Sequence, residues 1–413
     1  MQVLALSEIL GQPVYDAAGA KVGRVREVAL VPQEDPNGVA AFVVKTRQGD
    51  RLLFSSAIST VNGGIRSNKA SADWTAYHGS EGMLLLERDL LDQQIIDVHG
   101  RKVVRVNDVE FKPQMREGAF RLKLDSVDVG PRGAVRRLLK NVVPGVALRA
   151  LLERIPPKPI PWEFVNLIET DPARRVRLKI SSDKLSKLHP ADLADIIEDL
   201  APAERDAVFQ TLDEETAAEA LEEIDPKLQV SIVNSLDSDR AADIVEEMDP
   251  DAAADLLGDL PPERSEEILE EMEPEEREDV EELLEFEENT AAGRMTTDYM
   301  ALSPKARVSD AVEMLKNFEG GLESMSTIYL VGQGDKLLGA VPLAKLVVSP
   351  QDERLAALTS EPVISCSPEA DEKEVAELFD KYNLLTLPVV DENGALTGVI
   401  TADDVISILR SKV

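Results

Sequence analysis

Two aspartates one helical turn apart are the first residues in this sequence that could do chemistry. Asp251 and Asp255 are four positions apart, so in a helix their carboxylates share one face. Such a pair can hold one divalent cation or face another domain, since Mg²⁺ prefers oxygen ligands and usually takes one or two carboxylates with several waters. The alternative is that both carboxylates belong to a solvated acidic surface.

The segment around these aspartates carries nearly all of the chain's net charge. Residues 181–290 contain 38 Asp and Glu against 7 Lys and Arg, a net of −31 within a total of −33. Like charges at i,i+4 in a helix cost about 0.2–0.5 kcal/mol per pair, so many pairs together cost several kcal/mol. A cation could relieve this repulsion. The acidity argues against nucleic acid as a partner and favours divalent cations or basic proteins.

A twelve-residue repeat predicts short helices over residues 183–290. Asp225-Pro226 and Asp249-Pro250 each place an N-cap aspartate before a proline at the first helical position. Helices of about two turns are unstable alone, so we expect them to stack into one continuous core, as in α-solenoids. The apolar residues that mark the repeat are Leu200, Leu212, Ile224, Leu236, Met248, Leu260 and Met272.

The first 130 residues alternate strand patterns with turn signals and contain an internal duplication. Val14, Asp16 and Gly19 recur 81 positions later as Ile95, Asp97 and Gly100, and the following Lys-Val-x-Arg-Val also recurs. The pattern predicts two small β units, at 1–78 and 82–130. It resembles the PRC-barrel family, which implies a binding or adaptor module.

Residues 131–182 form a basic helix followed by a proline-rich linker. Residues 131–180 contain 11 Lys and Arg against 4 Asp and Glu, and the helix includes Arg136, Arg137 and Lys140. We expect this helix to dock on the acidic array. The alternative is a basic surface for anionic lipid.

The array and the segment that follows it resemble the cytoplasmic N-domain and CBS pair of the MgtE family of magnesium channels. The resemblance rests on His189-Pro190-Ala191-Asp192, on the repeats, and on the exit segment Glu287–Thr296. It implies that the N-domain holds magnesium against the CBS pair, and the candidate metal ligands that it gives are Asp251, Asp255, Asp371 and Asp404. Three residues stand where acids are usual in the family's magnesium-responsive members, which predicts fewer or weaker sites: Lys373, Asn383 and Ser407.

Residues 295–413 consist of two α/β halves that resemble CBS domains. In that family a Gly-x-x-Thr/Ser-x-x-Asp pattern can bind the ribose of a nucleotide, and Gly398, Thr401 and Asp404 match it. Pro342 and Lys345 break the pattern in the first half. The resemblance therefore implies at most one adenine-nucleotide site, with ATP as a candidate ligand. Its apolar walls would be Ile364, Leu385 and Pro388. The alternative role of Thr401 is a helix N-cap.

The remaining features bound the function. One cysteine fits a reducing cytosol, and no stretch approaches 18 apolar residues, so we expect a cytoplasmic chain without the family's channel. The sequence has no P-loop, nucleophile elbow or dinucleotide fingerprint, which predicts no enzyme activity.

The fold expected is multidomain α+β: tandem PRC-barrel-like units, an α-helical superhelical repeat domain and an α/β CBS pair. We expect a CBS-mediated homodimer that senses Mg²⁺ and acts on a membrane transporter or another protein. The alternatives are a ligand-independent scaffold and a regulatory subunit of a separate transporter or enzyme.

Overall fold

A computed structural model describes residues 3–61, 63–79, 82–116, 119–140, 143, 145–169, 183–284, 286, 289–318, 325–359 and 362–411. The chain divides into two compact units, Met1–Thr216 and Ala217–Val413. The division falls inside the helical array, and the bounds of the five predicted segments stay predictions. No helix in these ranges is both long and apolar enough to cross a bilayer.

Among the described residues between 4 and 167, fifteen strands and four short α-helices build the β region of the first unit. The sheets run β6-β7-β2-β3-β4-β5-β8, β1-β12-β13-β14 and β11-β10-β15, and β9 also pairs with β3. The strands are β1 (Leu4–Ala5), β2 (Pro13–Tyr15), β3 (Lys21–Leu30), β4 (Val39–Thr46), β5 (Gly49–Phe54), β6 (Ile58–Thr60), β7 (Ile65–Ser67), β8 (Thr75–Ala76), β9 (Leu84–Leu85), β10 (Gln94–Asp97), β11 (Lys102–Arg105), β12 (Asp108–Arg116), β13 (Ala119–Asp128), β14 (Pro159–Pro161) and β15 (Val165–Leu167), and the helices are α1 (Leu6–Ile9), α2 (Leu86–Asp89), α3 (Pro131–Leu139) and α4 (Gly145–Leu152).

The backbone hydrogen bonds of the β region repeat with the same 81-residue offset as the sequence. The Gly11 N–H donates to the Val25 carbonyl at 2.8 Å, and the Asp92 N–H donates to the Val106 carbonyl at 2.9 Å. Gly11 and Asp92 both have positive φ, 78° and 62°. The two halves of the β region therefore begin with the same turn and hairpin.

The two halves exchange strands with each other. Strand β1 of the first half pairs with β12 of the second half, and β9 of the second half pairs with β3 of the first half. One apolar core contains residues from both halves, from Leu6 to Val165. The two halves therefore share one apolar core.

Equivalent buried carboxylates reinforce the exchange. Glu27 accepts the backbone N–H groups of Glu87 at 2.8 Å and Arg88 at 3.1 Å, at the start of α2. Asp108, which lies 81 positions after Glu27, accepts the N–H of Ser7 at 3.1 Å at the start of α1. Each half thus satisfies backbone donors at a helix N-terminus of the other half.

The basic helix α3 docks on this β region. Arg136 is buried, and its Nε donates to Asp108 at 2.8 Å, with Asp128 at 3.8 Å from a terminal nitrogen. Lys140 donates to the carbonyls of Ser7 and Leu10. The expectation that this helix docks on the acidic array is wrong for Arg136 and Lys140, because buried carboxylates and carbonyls nearby already bind them. The same contacts remove these two side chains from a lipid-binding surface.

Replacing Arg136 with Met should destabilise the first unit by about 3–5 kcal/mol, because Asp108 and Asp128 would remain buried without a counter-ion. The matched control is Arg137→Met. Arg137 pairs with Asp92, whose side chain is 58% exposed, so its loss should cost about 1 kcal/mol or less. Urea unfolding of the two variants measures the difference, and equal costs would contradict this account of Arg136.

Short helices fill residues 190–284, as the repeat predicts. All seven marker residues of the repeat are buried, and each lies one to three residues after the end of a helix. Pro250 begins its helix at the predicted first position. The helices are α5 (Pro190–Glu198), α6 (Pro202–Phe209), α7 (Glu214–Glu222), α8 (Pro226–Ser235), α9 (Ser238–Val245), α10 (Pro250–Asp259), α11 (Pro262–Glu271) and α12 (Pro274–Leu284).

The packing period in the second unit is two repeats, since α10 contacts α8 and α12, and α9 contacts α11. Hydrogen bonds repeat with the same spacing. Glu222 accepts the backbone N–H of Asp249 at 2.8 Å, and 24 positions later Glu246 accepts that of Glu273 at 2.5 Å. A glutamate at the C-terminal end of one helix therefore fixes the start of the helix three places later in the array.

Two α/β halves follow the array. Strand β17 pairs with β16 and β18, and β19 pairs with β20. The halves join through backbone bonds from Leu337 to Gly394 and from Leu396 to Asp335, each 2.9 Å long. The elements are β16 (Met300–Leu302), α13 (Val308–Lys316), β17 (Thr327–Val331), β18 (Leu337–Pro342) and α14 (Leu343–Val348), then α15 (Glu372–Tyr382), β19 (Thr386–Val390), β20 (Leu396–Thr401) and α16 (Ala402–Ser411).

Candidate functional site

Two helix N-termini bring Asp251 and Asp404 together in the second unit. Asp251 lies in the first turn of α10, which starts at Pro250, and Asp404 lies in the first turn of α16. Burial and the nearby charge of Asp404 raise the pKa of Asp251 well above its usual value. Burial also raises the pKa of Asp404, to about 6, although hydrogen bonds from Thr401 lower it. Residues 153 positions apart thus form one electrostatic site.

Asp249 and Asp403 extend this site on both sides. Asp249 occupies the predicted N-cap position of α10, but its side chain accepts no N–H from that helix. Burial, and then the charge of Asp403, raise the pKa of Asp249. We refer to Asp249, Asp251, Asp403 and Asp404 as the acidic junction.

The acidic junction offers the type of ligand atom that a hard divalent cation binds. Its groups are carboxylate oxygens, and the positive ends of two helix dipoles support their negative charge. Within the described ranges, no group of three or more His, Cys, Asp or Glu side chains is arranged so that it could hold a metal ion. A site here would therefore rest on about two carboxylates and several waters, which is a usual set for Mg²⁺.

The other two predicted metal ligands have different surroundings. Asp255 accepts a hydrogen bond from Arg294 at 2.7 Å. Asp371 is the N-cap of α15, where its carboxylate accepts the Glu374 N–H at 2.8 Å. Metal binding by these two carboxylates stays a prediction.

The predicted nucleotide residues surround the start of α16. Asp404 accepts the Thr401 hydroxyl at 2.6 Å and the Thr401 N–H at 2.8 Å. The two polar groups thus satisfy each other across the first turn of α16, with Thr401 directly before the helix. Ribose hydroxyls would have to share or replace these bonds.

The predicted apolar walls differ in exposure. Leu385 is 66% exposed, Ile364 is half-buried, and Pro388 is buried in β19. In the first half, Lys345 donates to the carbonyl of Leu358 at 2.8 Å. Its ammonium group is therefore engaged with a carbonyl at the position where Asp404 stands in the second half.

Sequence reasoning missed Asp249, Asp403, Glu222 and Arg294. Asp249 was interpreted as an ordinary cap because it precedes a proline. Asp403 and Glu222 had no feature that separated them from the many other acids of the chain. Arg294 did carry a usable signal, since residues 241–260 contain no Lys or Arg and their acids need a counter-ion from elsewhere.

Comparisons with known proteins agree with the architecture. Family models match the MgtE intracellular N domain at residues 188–289, a CBS domain at 355–411 and a PRC-barrel domain at 1–62. A crystal structure of the cytosolic domain of the Mg²⁺ channel MgtE in complex with ATP is 30% identical, with a TM-score of 0.53, and the match covers 57% of this chain and 95% of that one. The chain is homologous to the cytosolic domain of MgtE.

Two further comparisons show the extent of the MgtE homology. The soluble part of a magnesium transporter is 27% identical, with a TM-score of 0.54, and the match covers 56% of this chain and 91% of that one. The magnesium transporters MgtE of Thermus thermophilus and Bacillus subtilis are 34% and 32% identical over 32% of this chain. The chain spans about 30% of the length of these curated relatives. Asp251 lies in the matched N domain and Asp404 in the matched CBS domain.

Glu222 should make stability fall as pH rises. Burial, and then the charge of Asp249, raise its pKa to about 7. The folded chain therefore binds a proton that the unfolded chain releases near pH 4.5, so stability is highest below that pH and is lost as pH rises to about 7. Glu222→Gln should match the wild type at pH 4.5 and exceed its stability by about 2 kcal/mol at pH 8. Urea unfolding across this range is the measurement, and parallel pH curves for the two proteins would contradict it.

Proposed function

We propose that this chain is a cytoplasmic Mg²⁺-sensing regulatory protein related to the gating half of magnesium channels, and that it is not an enzyme. The observation that supports this proposal most directly is that the charge of Asp404 acts on Asp251, although the two residues belong to two different matched domains. A change in their repulsion would change how the helical array and the α/β pair fit together. Homology to the MgtE cytosolic domain supports this function.

The acidic junction supplies the energetic argument. Both aspartates resist ionisation, chiefly because they are buried and, for Asp251, also because the charge of Asp404 is near. Ionising both therefore opposes the arrangement in which α10 lies beside α16, which we call the closed state. At neutral pH a divalent cation would replace this repulsion by attraction to both carboxylates. Binding to the closed state alone would then shift the population toward it.

The proposed output is a change of shape that a membrane transporter or another protein partner reads. The β region would serve as the adaptor, and we propose that it derives from tandem PRC-barrel-like units, with the array forming a superhelix.

We also propose a CBS-mediated homodimer. Val347 and Val348 at the end of α14 are 86% and 82% exposed, and Ile406 on the equivalent helix α16 is 59% exposed. These exposed apolar side chains are the surface that we propose a second copy of the chain covers.

A second proposed ligand is an adenine nucleotide at Thr401 and Asp404. The related MgtE cytosolic domain was crystallised in complex with ATP, and this chain carries a hydroxyl and a carboxylate in hydrogen-bond contact at the start of α16. The alternative, that Thr401 and Asp404 only cap the helix, predicts no nucleotide binding.

Magnesium should stabilise the wild-type chain more than sodium does. At 10 mM Mg²⁺ we expect the melting temperature to rise by about 3 °C, as for a site with a Kd near 1 mM. NaCl at matched ionic strength should do less, because it only screens the charges. Thermal melting measures both, and light scattering of the same samples should give twice the 45.2 kDa chain mass.

Asp404→Asn tests the site itself. This variant should melt higher than the wild type without Mg²⁺, because one repelling charge is gone, and should lose most of the Mg²⁺ increment. Asp259→Asn is the matched control, since it removes one exposed charge from the same helix as Asp251 and should keep the increment. Equal effects of Mg²⁺ and Na⁺ on the wild type would refute Mg²⁺ sensing.

Measurements of nucleotide binding should distinguish the role of Thr401 from that of Asp404. Asp404→Ala should abolish binding of ATP in calorimetry, and Thr401→Val should weaken it about tenfold, the cost of one lost hydrogen bond, while keeping the Mg²⁺ increment. Lys345→Ala, at the equivalent position of the first half, should leave ATP binding unchanged. Absence of ATP binding by the wild type at millimolar concentration would leave Thr401 with a capping role alone.

A further inference from the structure

An arginine lies between the helical array and the α/β pair. Arg294 ends a 3-10 turn at Ala292–Arg294. One of its terminal nitrogens is 2.7 Å from a carboxylate oxygen of Asp255 on α10. Its Nε is 3.5 Å from a carboxylate oxygen of Glu372 on α15. One guanidinium thus contacts an acid from each side.

The backbone around Arg294 is fixed to the second α/β half. The Ala291 N–H donates to the Ala370 carbonyl at 2.8 Å, and Thr296 and Val399 exchange two bonds of 2.9 and 3.0 Å. Arg294 is therefore anchored on the side of the α/β pair. Its bond to Asp255 is a side-chain contact that reaches across to the array.

The surroundings suit a guanidinium ion. Glu372 is only 10% exposed in its side chain, whereas Arg294 is 29% and Asp255 is 45% exposed. Arg is charged at every physiological pH, and its planar group offers several donors in a fixed geometry. A bond of this kind forms without a bound metal ion.

We infer that Arg294 is a built-in counter-ion that holds the C-terminal half of α10 against the α/β pair without a divalent cation. Asp255 is then engaged with the guanidinium, and the response to Mg²⁺ is confined to the acidic junction, one helical turn toward the N-terminus of α10. This last consequence rests on the proposed function. The bridge itself does not.

Removing the guanidinium should turn a permanent contact into one that depends on Mg²⁺. In the full chain with EDTA, Arg294→Ala should raise amide hydrogen exchange about two- to fivefold in peptides 250–259 and 291–296, as expected for one partly exposed ion pair. With 10 mM Mg²⁺ the rates should return toward wild type, because Asp255 can then join Asp251 around a cation. Exchange followed by mass spectrometry measures both conditions.

Two control variants make the result specific. Arg277→Ala breaks a local ion pair with Glu281 on α12 and should leave both peptides unchanged. Arg294→Lys keeps the charge and should retain most of the protection. Equal losses in the Lys and Ala variants would indicate disturbed folding of the turn and would overturn the counter-ion role.

The outcomes separate this inference from the proposed function. Wild-type rates for Arg294→Ala in EDTA would overturn the bridge, whatever Mg²⁺ does. Faster exchange that Mg²⁺ does not slow would uphold the bridge and count against Mg²⁺ binding. Faster exchange that Mg²⁺ reverses would support both.

Discussion

Helices of eight to eleven residues cannot persist in water alone, and the second unit depends on how this limit is overcome. Each helix gains stability from apolar contacts with its neighbours in the stack. The repeat therefore determines where every helix begins. Because α10 must begin at Pro250, Asp251 is held in a first turn with its carboxylate near α16. The position of the acidic junction follows from the packing of the array.

The same stack concentrates negative charge, and three of its carboxylates have different surroundings. Glu222 accepts a backbone N–H, so burial is partly offset by a hydrogen bond. Asp255 is paired with a guanidinium. Asp251 and Asp404 instead lie near each other, and burial together with the charge of Asp404 raises the pKa of Asp251. A carboxylate paired with a guanidinium and a carboxylate that faces another carboxylate thus lie one helical turn apart on α10.

Local patterns were predictable from the sequence, and contacts between distant segments were not. The twelve-residue marker spacing located helices such as α8 and α10, because capping and apolar periodicity act within a few residues. The spacing did not show that packing repeats every 24 residues, since this depends on which helix contacts which. The encounter of Asp251 with Asp404 was expected only through a family resemblance. The docking of Arg136 was predicted wrongly, because net charge pointed to the largest acidic segment, whereas the arginine binds a few buried carboxylates in the β region.

The strand exchange in the β region has a consequence for biosynthesis. Residues 4–5 find their partner strand only at residues 110–111, so more than a hundred residues must leave the ribosome before β1 is paired. Glu27 likewise waits for residues 87 and 88, whose N–H groups it accepts. Long-range pairing of this kind is slow and leaves strand edges exposed while it waits. The N-terminal region is therefore the part of the nascent chain that should depend most on chaperones.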